Sequence, residues 1–204
     1  MNKVITIGRE FGSGGRELGR RLAERLGFAY YDQEIVSEIA KRTSLAEQYI
    51  REVTDRQPAM SFPIHIGRSF YPPVNPAVDQ SGAIFREQAN ILREMAEASD
   101  CVIVGRCGDY ILRDLAPLRV FVYAAPESKL ARCRRAASDQ EALTDKELKK
   151  KIRDVDKNRA GYYGFYTGQT WGAPANYDIC LNTTRLDLKD AAALLAAHCE
   201  CFFP

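Results

Sequence analysis

The stretch that decides the fold is Val4–Arg16, which reads VITIGREFGSGGR. Its first four residues are apolar or β-branched, which is typical of a short buried strand. Four glycines then follow within eight residues, namely Gly8, Gly12, Gly14 and Gly15. Glycine permits positive φ angles and lets backbone N–H groups converge on an anion at the start of a helix. Because a tight turn needs only one or two glycines, the four predict an anion-binding loop.

The pattern beyond this loop predicts alternating helices and strands. Leu18, Leu22 and Leu26 recur at every fourth residue between charged residues, which predicts an amphipathic helix ending at Gly27. Short apolar runs without polar alternation recur further along, and helical patterns separate them; they occupy residues 28–31, 101–105, 119–123 and 177–181. Such strands predict a doubly wound α/β domain with a five-stranded parallel sheet. Ligands of these sheets bind at the carboxyl ends of the strands.

Several local signals mark element boundaries. Ser44 and Thr144 each precede a glutamate by three residues, a capping-box pattern that predicts a helix start at both places. Asp32, after the second strand, is a candidate cap for the next helix. Residues 57–80 hold five of the nine prolines, which predicts a long irregular loop. Helical patterns predict further helices over residues 81–98 and 186–199.

Length and composition favour one ordinary globular domain. The 204 residues are 46% hydrophobic and 27% charged, and a net charge of +2 gives no reason to expect nucleic acid or a membrane as partner. The longest purely apolar run, residues 191–197, is too short to span a bilayer. We expect a cytoplasmic protein without a secretory signal, because residues 1–4 lead directly into a strand. The six cysteines lack Cys-x-x-Cys spacing and are expected to be reduced thiols.

The glycine spacing fits two classes of protein. A strict P-loop, Gly-x-x-x-x-Gly-Lys-Ser/Thr, is absent. Gly8-x-x-x-Gly12-x-Gly14 has the spacing of short-chain dehydrogenases, in which Asp32 would bind the ribose of NAD(P). Those enzymes carry a catalytic Tyr-x-x-x-Lys, and none of the ten tyrosines has a lysine four residues later. The dehydrogenase interpretation stays open as an alternative that lacks its catalytic pair.

Three stretches resemble the cytidylate kinase-like branch of the P-loop nucleoside monophosphate kinases. They are residues 5–17, residues 102–106 running on through 120–123, and residues 156–163 with 176–178. The resemblance covers almost the whole chain and implies a P-loop kinase fold with strand order 2-3-1-4-5. It also implies ATP and Mg²⁺ as cofactors, and a small nucleotide acceptor such as CMP. Within the single domain, it implies an acceptor-binding insert at 33–98 and a lid at 129–172.

The phosphate loop departs from the family pattern Gly-x-x-Gly-x-Gly-Lys-x-Thr. Gly15 stands where the lysine belongs, and Glu17 stands where the metal-coordinating hydroxyl belongs. We hypothesise that Arg16 replaces the lysine's charge and that Ser13 or Glu17 assists the metal. The resemblance implies that the donor nucleotide contacts the loop and the residues after the fifth strand: Gly12, Ser13, Gly14, Gly15, Arg16, Glu17, Asn182 and Thr183. A regulatory protein that binds nucleotide without turnover is the alternative left open.

The resemblance also implies a site for the acceptor. Its expected residues are Asp32 at the end of the second strand, Arg86 in the insert, and Gly105 and Arg106 in the turn after the third strand. Cys107 stands where the family has an acid after the arginine, so specificity for cytosine does not follow. The expected partner is therefore a small-molecule nucleotide, and a homodimer is left open.

The predicted lid is rich in positive charge. Residues 129–159 hold eleven Lys/Arg against six Asp/Glu, which is suited to neutralising a phosphoryl group during transfer. The resemblance implies that several of these cations close over the substrate. The catalytic cations we expect are Arg16, Arg132, Lys157 and Arg159. Glycines between the aromatic residues of 162–172 predict that this segment is mobile.

Overall fold

A computed structural model of the chain describes residues 2–55, 76–136 and 143–203. Five strands in these ranges form one parallel sheet in the order β2-β3-β1-β4-β5: β1 Val4–Arg9, β2 Ala29–Tyr31, β3 Cys101–Val104, β4 Leu118–Tyr123 and β5 Ile179–Asn182. The predicted sheet and its strand order are confirmed. A dinucleotide-binding fold has the order 3-2-1-4-5-6, so the dehydrogenase alternative is wrong.

Helices cover both faces of the sheet. They are α1 Gly15–Leu26, α2 Glu34–Thr43, α3 Glu47–Asp55, α4 Pro76–Ala98, α5 Gly108–Ile111, α6 Pro126–Ala136, α7 Asp145–Thr167 and α8 Leu188–Phe202, with short 3₁₀ turns at Arg113–Leu115 and Pro174–Asn176. Helices α1 and α8 pack on one face, around Leu18, Leu22 and Leu195. Helices α2 and α4 pack on the other, around Ile39 and Leu92. No described helix is both long and apolar enough to be a membrane span.

Strand β1 lies in the middle of the sheet. Ile5 pairs with Val102 of β3 on one side and with Leu118 of β4 on the other. Both Ile5 and Ile7 are fully buried, because they point to the same face of the sheet, which α1 and α8 cover. The loop after β1 therefore lies at the centre of the carboxyl edge, where α/β sheets bind ligands.

The signals for helix ends were partly right. The Thr144 hydroxyl accepts a hydrogen bond from the Glu147 backbone, and the Glu147 carboxylate accepts one from the Thr144 backbone at 2.8 Å, so this capping box is confirmed. The capping box predicted at Ser44 is wrong. Ser44 instead ends α2 in a left-handed conformation with φ of 55°, and α3 begins at Glu47. Gln33 is the N-cap of α2, so Asp32 does not cap it.

Parts of two segments, one predicted as an irregular loop and one predicted as mobile, are helical. Residues 76–80, placed in the proline-rich loop, are the start of α4, and residues 57–75 of that loop lie outside the described residues. Residues 162–167, predicted to be mobile, are the last turns of α7. The helix continues through Gly161 and Gly164 because Tyr162 and Tyr163 are buried against the core, and tertiary packing overrides the low helix propensity of glycine.

Candidate functional site

The loop after β1 has the backbone geometry of an anion cradle. Gly12 and Gly14 have φ angles of 76° and 85°, and Gly14 is the N-cap of α1 with no side-chain capping bond. The N–H groups of the first helical turn have no partner within the helix. A Cβ on Gly12 would lie 2.8 Å from Cys133 Sγ, and one on Gly14 would lie 2.9 Å from the Leu188 methyl carbons. Both positions therefore require glycine. The backbone N–H groups at the start of α1 lie at the wall of an open cleft.

This cleft has a volume of about 770 Å³ and lies between the loop, α6, α7 and the start of α8. It is large enough for a nucleotide. The structure brings together at its walls seven of the predicted residues, namely Gly12, Gly14, Gly15, Arg16, Glu17, Arg132 and Arg159. Arg135 and Lys151 also line it, although neither is among the catalytic cations predicted from the sequence.

Other residues predicted for the donor nucleotide do not face the cleft. Ser13 is fully buried, and its hydroxyl donates to the Glu10 carbonyl at 2.8 Å. Thr183 is also fully buried, and its hydroxyl lies 2.7 Å from the Ser13 carbonyl. Asn182 is exposed, and its side-chain oxygen accepts hydrogen bonds from Thr184. Ser13 and Thr183 thus stabilise the loop from within, and Leu186–Leu188 line the cleft instead.

Two predicted cations lie elsewhere. Lys157 is exposed on α7 and is not among the residues that line the cleft. A helix turns by about 100° per residue, so Lys157 and Arg159 point in different directions although they are close in sequence. Arg86 is exposed on α4, with its guanidinium beside Gly82. The predicted catalytic role of Lys157 and the acceptor contact of Arg86 do not fit this geometry.

A second, small pocket of about 40 Å³ lies at the carboxyl end of β3. Its floor is a turn in which Gly105, Arg106 and Cys107 all have left-handed φ angles of 77°, 58° and 54°. Gln88 holds this turn by donating to the Arg106 carbonyl at 2.9 Å, and the Arg106 guanidinium donates to the Thr54 hydroxyl. The aromatic wall consists of Tyr162, Tyr163, Trp171 and Tyr177. The pocket combines arginine with aromatic surface, as expected of an acceptor site.

One carboxyl of this pocket, Asp109, is buried. Tyr163 donates a hydrogen bond to Asp109 Oδ2 at 2.6 Å. Burial raises the pKa of Asp109 above its ordinary value, against the opposing effect of the Tyr163 hydrogen bond. Burial and the neighbouring Asp109 likewise raise the pKa of Tyr163. This pair could not be predicted from the sequence, because Asp109 lies on α5 and Tyr163 lies on α7.

Asp32 pairs with two arginines of the loop. Its carboxylate lies 2.5 Å from Arg16 Nε and 3.7 Å from the Arg9 guanidinium. The Arg16 side chain is 58% exposed at the rim of the cleft, whereas the Arg9 side chain is 13% exposed. Asp32 thus lies beside the loop rather than at a helix cap. Arg9 is not among the predicted site residues, because it lies outside the loop positions that the family pattern assigns to the lysine and the metal ligand.

A partly buried ionic cluster fixes the loop to the predicted lid. Lys129 Nζ of α6 lies 3.1 Å from the Glu10 carboxylate and 2.7 Å from the Asp156 carboxylate of α7. Asp156 Oδ1 also accepts the Phe11 N–H at 2.6 Å, and Arg159 Nη1 donates to the Arg9 carbonyl at 3.2 Å. Hydrogen bonds therefore connect the loop to both α6 and α7. Glu10 and Lys129 were not predicted as site residues.

The residues present fit the phosphates of ATP better than they fit a metal cage. The unpartnered N–H groups at the start of α1, together with Arg132 and Arg159, suit a polyphosphate. Within the described ranges, no group of three or more His, Cys, Asp and Glu residues is placed to hold a metal. The Ser13 hydroxyl is directed into the loop, so its predicted metal role does not fit. Glu17 lines the cleft but pairs with Arg21 at 2.6 Å.

Comparisons with known proteins identify relatives of this chain. The family model of the cytidylate kinase-like family matches residues 4–185. The curated cytidylate kinase of Methanopyrus kandleri is 26% identical over 207 residues, covering 97% of this chain and 93% of that protein.

Solved structures share the fold. An uncharacterized protein from Eubacterium ventriosum superposes with a TM-score of 0.68 at 25% identity, covering 98% of this chain and 99% of the other. Shikimate kinase from Bacteroides thetaiotaomicron has a TM-score of 0.58 at 17% identity, covering 97% and 98% of the two chains, which shows a common fold alone. The chain therefore belongs to the cytidylate kinase-like family and has a P-loop kinase fold.

Proposed function

We propose that the protein transfers the γ-phosphoryl group of ATP, with Mg²⁺, to a nucleoside monophosphate such as CMP. The observation that carries this proposal is that two adjacent pockets have wall residues in common. The cleft next to the anion cradle and the small pocket at Gly105–Cys107 share Arg9 and Arg159 in their walls. A donor phosphate and an acceptor phosphate bound in these sites would be neighbours.

The residues have distinct roles in this proposal. The loop N–H groups hold the donor phosphates. Arg132, which lies on α6, neutralises the negative charge of these phosphates. Arg106 binds the acceptor phosphate, while the aromatic wall excludes water from the reaction. Mg²⁺, when bound, neutralises and orients the phosphate oxygens. Glu17, which lines the cleft, is the candidate ligand that the chain would supply. A general base is not required, because a phosphate oxygen of the acceptor is already a nucleophile near neutral pH.

The proposal also divides the chain into functional regions. Residues 33–98 form the acceptor side, and residues 129–172 form the lid that covers the phosphates. The lid assignment is supported by the hydrogen bonds that connect Lys129 and Asp156 to the loop. The proline-rich part of the acceptor side lies outside the described residues.

Thermal stability with ligands is the first test. The protein is heated with ATP, CMP and other nucleoside monophosphates, each with and without Mg²⁺, and ADP release is then measured with every ligand that stabilises it. A ligand at 100 times its dissociation constant adds about 2.7 kcal/mol to the free energy of unfolding. We expect stabilisation by ATP and by one monophosphate, with ADP formed when both are present. No stabilisation by any nucleotide would refute the proposal.

A regulatory nucleotide-binding protein is the second candidate. It is favoured by the missing loop lysine and by the engagement of Arg16 with Asp32, which holds that cation at the rim of the cleft. This candidate predicts that ATP stabilises the protein and that no acceptor yields ADP. Product formation at a rate proportional to enzyme concentration would exclude it.

A further inference from the structure

Arg9 occupies a place that two glycines keep open for it. It is the last residue of β1, and its side chain crosses the loop towards the turn after β3. A Cβ on Gly15 would lie 2.5 Å from Arg9 Cβ, and a Cβ on Gly105 would overlap the Arg9 guanidinium. Gly15, which stands where the family has its lysine, therefore lies directly beside the Arg9 side chain, and its lack of a side chain leaves the space that Arg9 occupies.

The charges around Arg9 favour an anion. The charged groups that act on it are Arg159, Arg106 and Arg16, against the single carboxylate of Asp32. Burial and Arg159 lower the pKa of Arg9 to about 9, while Asp32 opposes this change. Asp32 is moreover shared, since its contact with Arg16 at 2.5 Å is shorter than its contact with Arg9 at 3.7 Å. A bound phosphate would relieve this excess of positive charge.

Position separates Arg9 from Arg16. Among the described residues, Arg9 and Arg159 are the two that line both the donor cleft and the acceptor pocket. Arg16 lines the donor cleft alone, and its side chain is largely exposed. Phosphoryl transfer takes place where donor and acceptor meet, so a cation at the junction contacts the group in transit.

We infer that Arg9 is a catalytic residue of the proposed phosphoryl transfer, binding the transferred phosphoryl group in place of the loop lysine. The inference rests on the proposed function and names Arg9, rather than Arg16, as the replacement. Its planar guanidinium reaches the junction from β1, below the loop, whereas the family's lysine comes from the start of α1.

Binding of inorganic tripolyphosphate tests the inference without an acceptor. Titration calorimetry compares the wild type with Arg9→Met, Arg9→Lys and Arg16→Met, and Arg25→Met on the exposed end of α1 serves as a surface control. We expect Arg9→Met to weaken binding at least about tenfold, Arg9→Lys to recover part of it, and Arg16→Met to have a smaller effect. Circular dichroism and melting temperature check that each variant is folded; if Arg9→Met does not fold, Arg9→Lys against Arg16→Lys supplies the comparison.

Turnover separates the catalytic role from simple binding. With the acceptor found by ADP release, Arg9→Met is expected to lower kcat by about 10²–10³-fold, with a much smaller change in the KM for ATP. If wild-type protein binds tripolyphosphate and Arg9→Met binds it equally well, the inference is wrong while the proposed function stands. If wild-type protein binds neither tripolyphosphate nor ATP, the proposed function is refuted and the inference fails with it.

Discussion

At the scale of single residues, the small pocket at Gly105–Cys107 contains a buried carboxyl, Asp109. Asp109 is almost fully buried and receives the Tyr163 hydrogen bond at 2.6 Å. Its pKa is raised because burial disfavours the charged form more than the hydrogen bond favours it. The folded protein therefore binds a proton at Asp109 more tightly than the unfolded chain does.

This difference predicts how stability depends on pH. Between the ordinary pKa of 3.8 and the higher folded pKa, the unfolded chain loses the proton first. The free energy of unfolding contributed by Asp109 therefore falls as pH rises through this window, and it is constant on either side. Urea unfolding of wild type and Asp109→Asn from about pH 3 to pH 8 measures it. We expect wild type to lose stability relative to the variant across the window, and a difference independent of pH would contradict the pKa shift.

At the scale of one element, the phosphate loop is adapted to Arg9 rather than to a lysine. Because a Cβ on Gly15 would lie 2.5 Å from Arg9 Cβ, restoring the family's lysine at position 15 introduces a clash. We expect Gly15→Lys to lower the free energy of unfolding by about 1–3 kcal/mol, as other overpacked sites do. The absence of a lysine at position 15 and the presence of the buried Arg9 are therefore linked, because the Arg9 side chain occupies the space that a side chain at position 15 would need.

A double-mutant cycle tests this dependence. Arg9→Gly removes the side chain that Gly15 accommodates, so Gly15→Lys should cost less stability in that background than in the wild type. Urea unfolding of the two single variants and the double variant gives the coupling energy, and Gly15→Ala in both backgrounds separates the clash from the added charge. Additive effects would show that Arg9 does not determine the identity of residue 15.

The start of α7 depends on its capping box. The Thr144 hydroxyl accepts the Glu147 N–H at 3.3 Å, which satisfies a donor that the helix itself leaves unpaired. We expect Thr144→Ala to lower the free energy of unfolding by about 1 kcal/mol, and Thr144→Ser to retain most of the stability. Urea unfolding measures both. Equal loss in the two variants would show that the hydroxyl is not the stabilising group.

At the scale of the whole molecule, the Glu10–Lys129–Asp156 cluster joins the loop to helices α6 and α7. These residues come from the segment after β1, from α6 and from α7, and the Lys129 side chain is 9% exposed. The positions of α6 and α7 and the conformation of the loop are therefore coupled through shared hydrogen bonds. Replacing Lys129 should therefore alter the conformation of the loop, although Lys129 does not line the cleft.

Replacing Lys129 tests this coupling. Lys129→Met leaves two partly buried carboxylates without their cation, and we expect a loss of about 2–3 kcal/mol in the free energy of unfolding. Lys149→Met, an exposed lysine of α7, is the matched control and should change little. ATP-induced stabilisation should also fall in Lys129→Met alone. If both variants behave alike, the cluster does not support the loop.

The sequence by itself determined the fold and the place of the glycine loop within it. Strand and helix periodicity depend on nearest neighbours along the chain, so the five strands and most helices could be predicted, as could the glycine loop at the end of β1. The errors fell at boundaries where local and tertiary preferences differ. Residues 162–167 stayed helical because burial of two tyrosines outweighs the glycines beside them.

Only the tertiary structure decided which side chains share the site. Asp156 accepts the Phe11 N–H across 145 residues of sequence, and Thr183 lies inside the loop beside Ser13 rather than in the cleft. Neither contact leaves a periodic signal, because each depends on how distant elements pack at the carboxyl edge of the sheet. Arg9 is the clearest case: its sequence position identifies a charged loop residue, but the space beside Gly15 and Gly105 exists only once β1, α1 and β3 have come together.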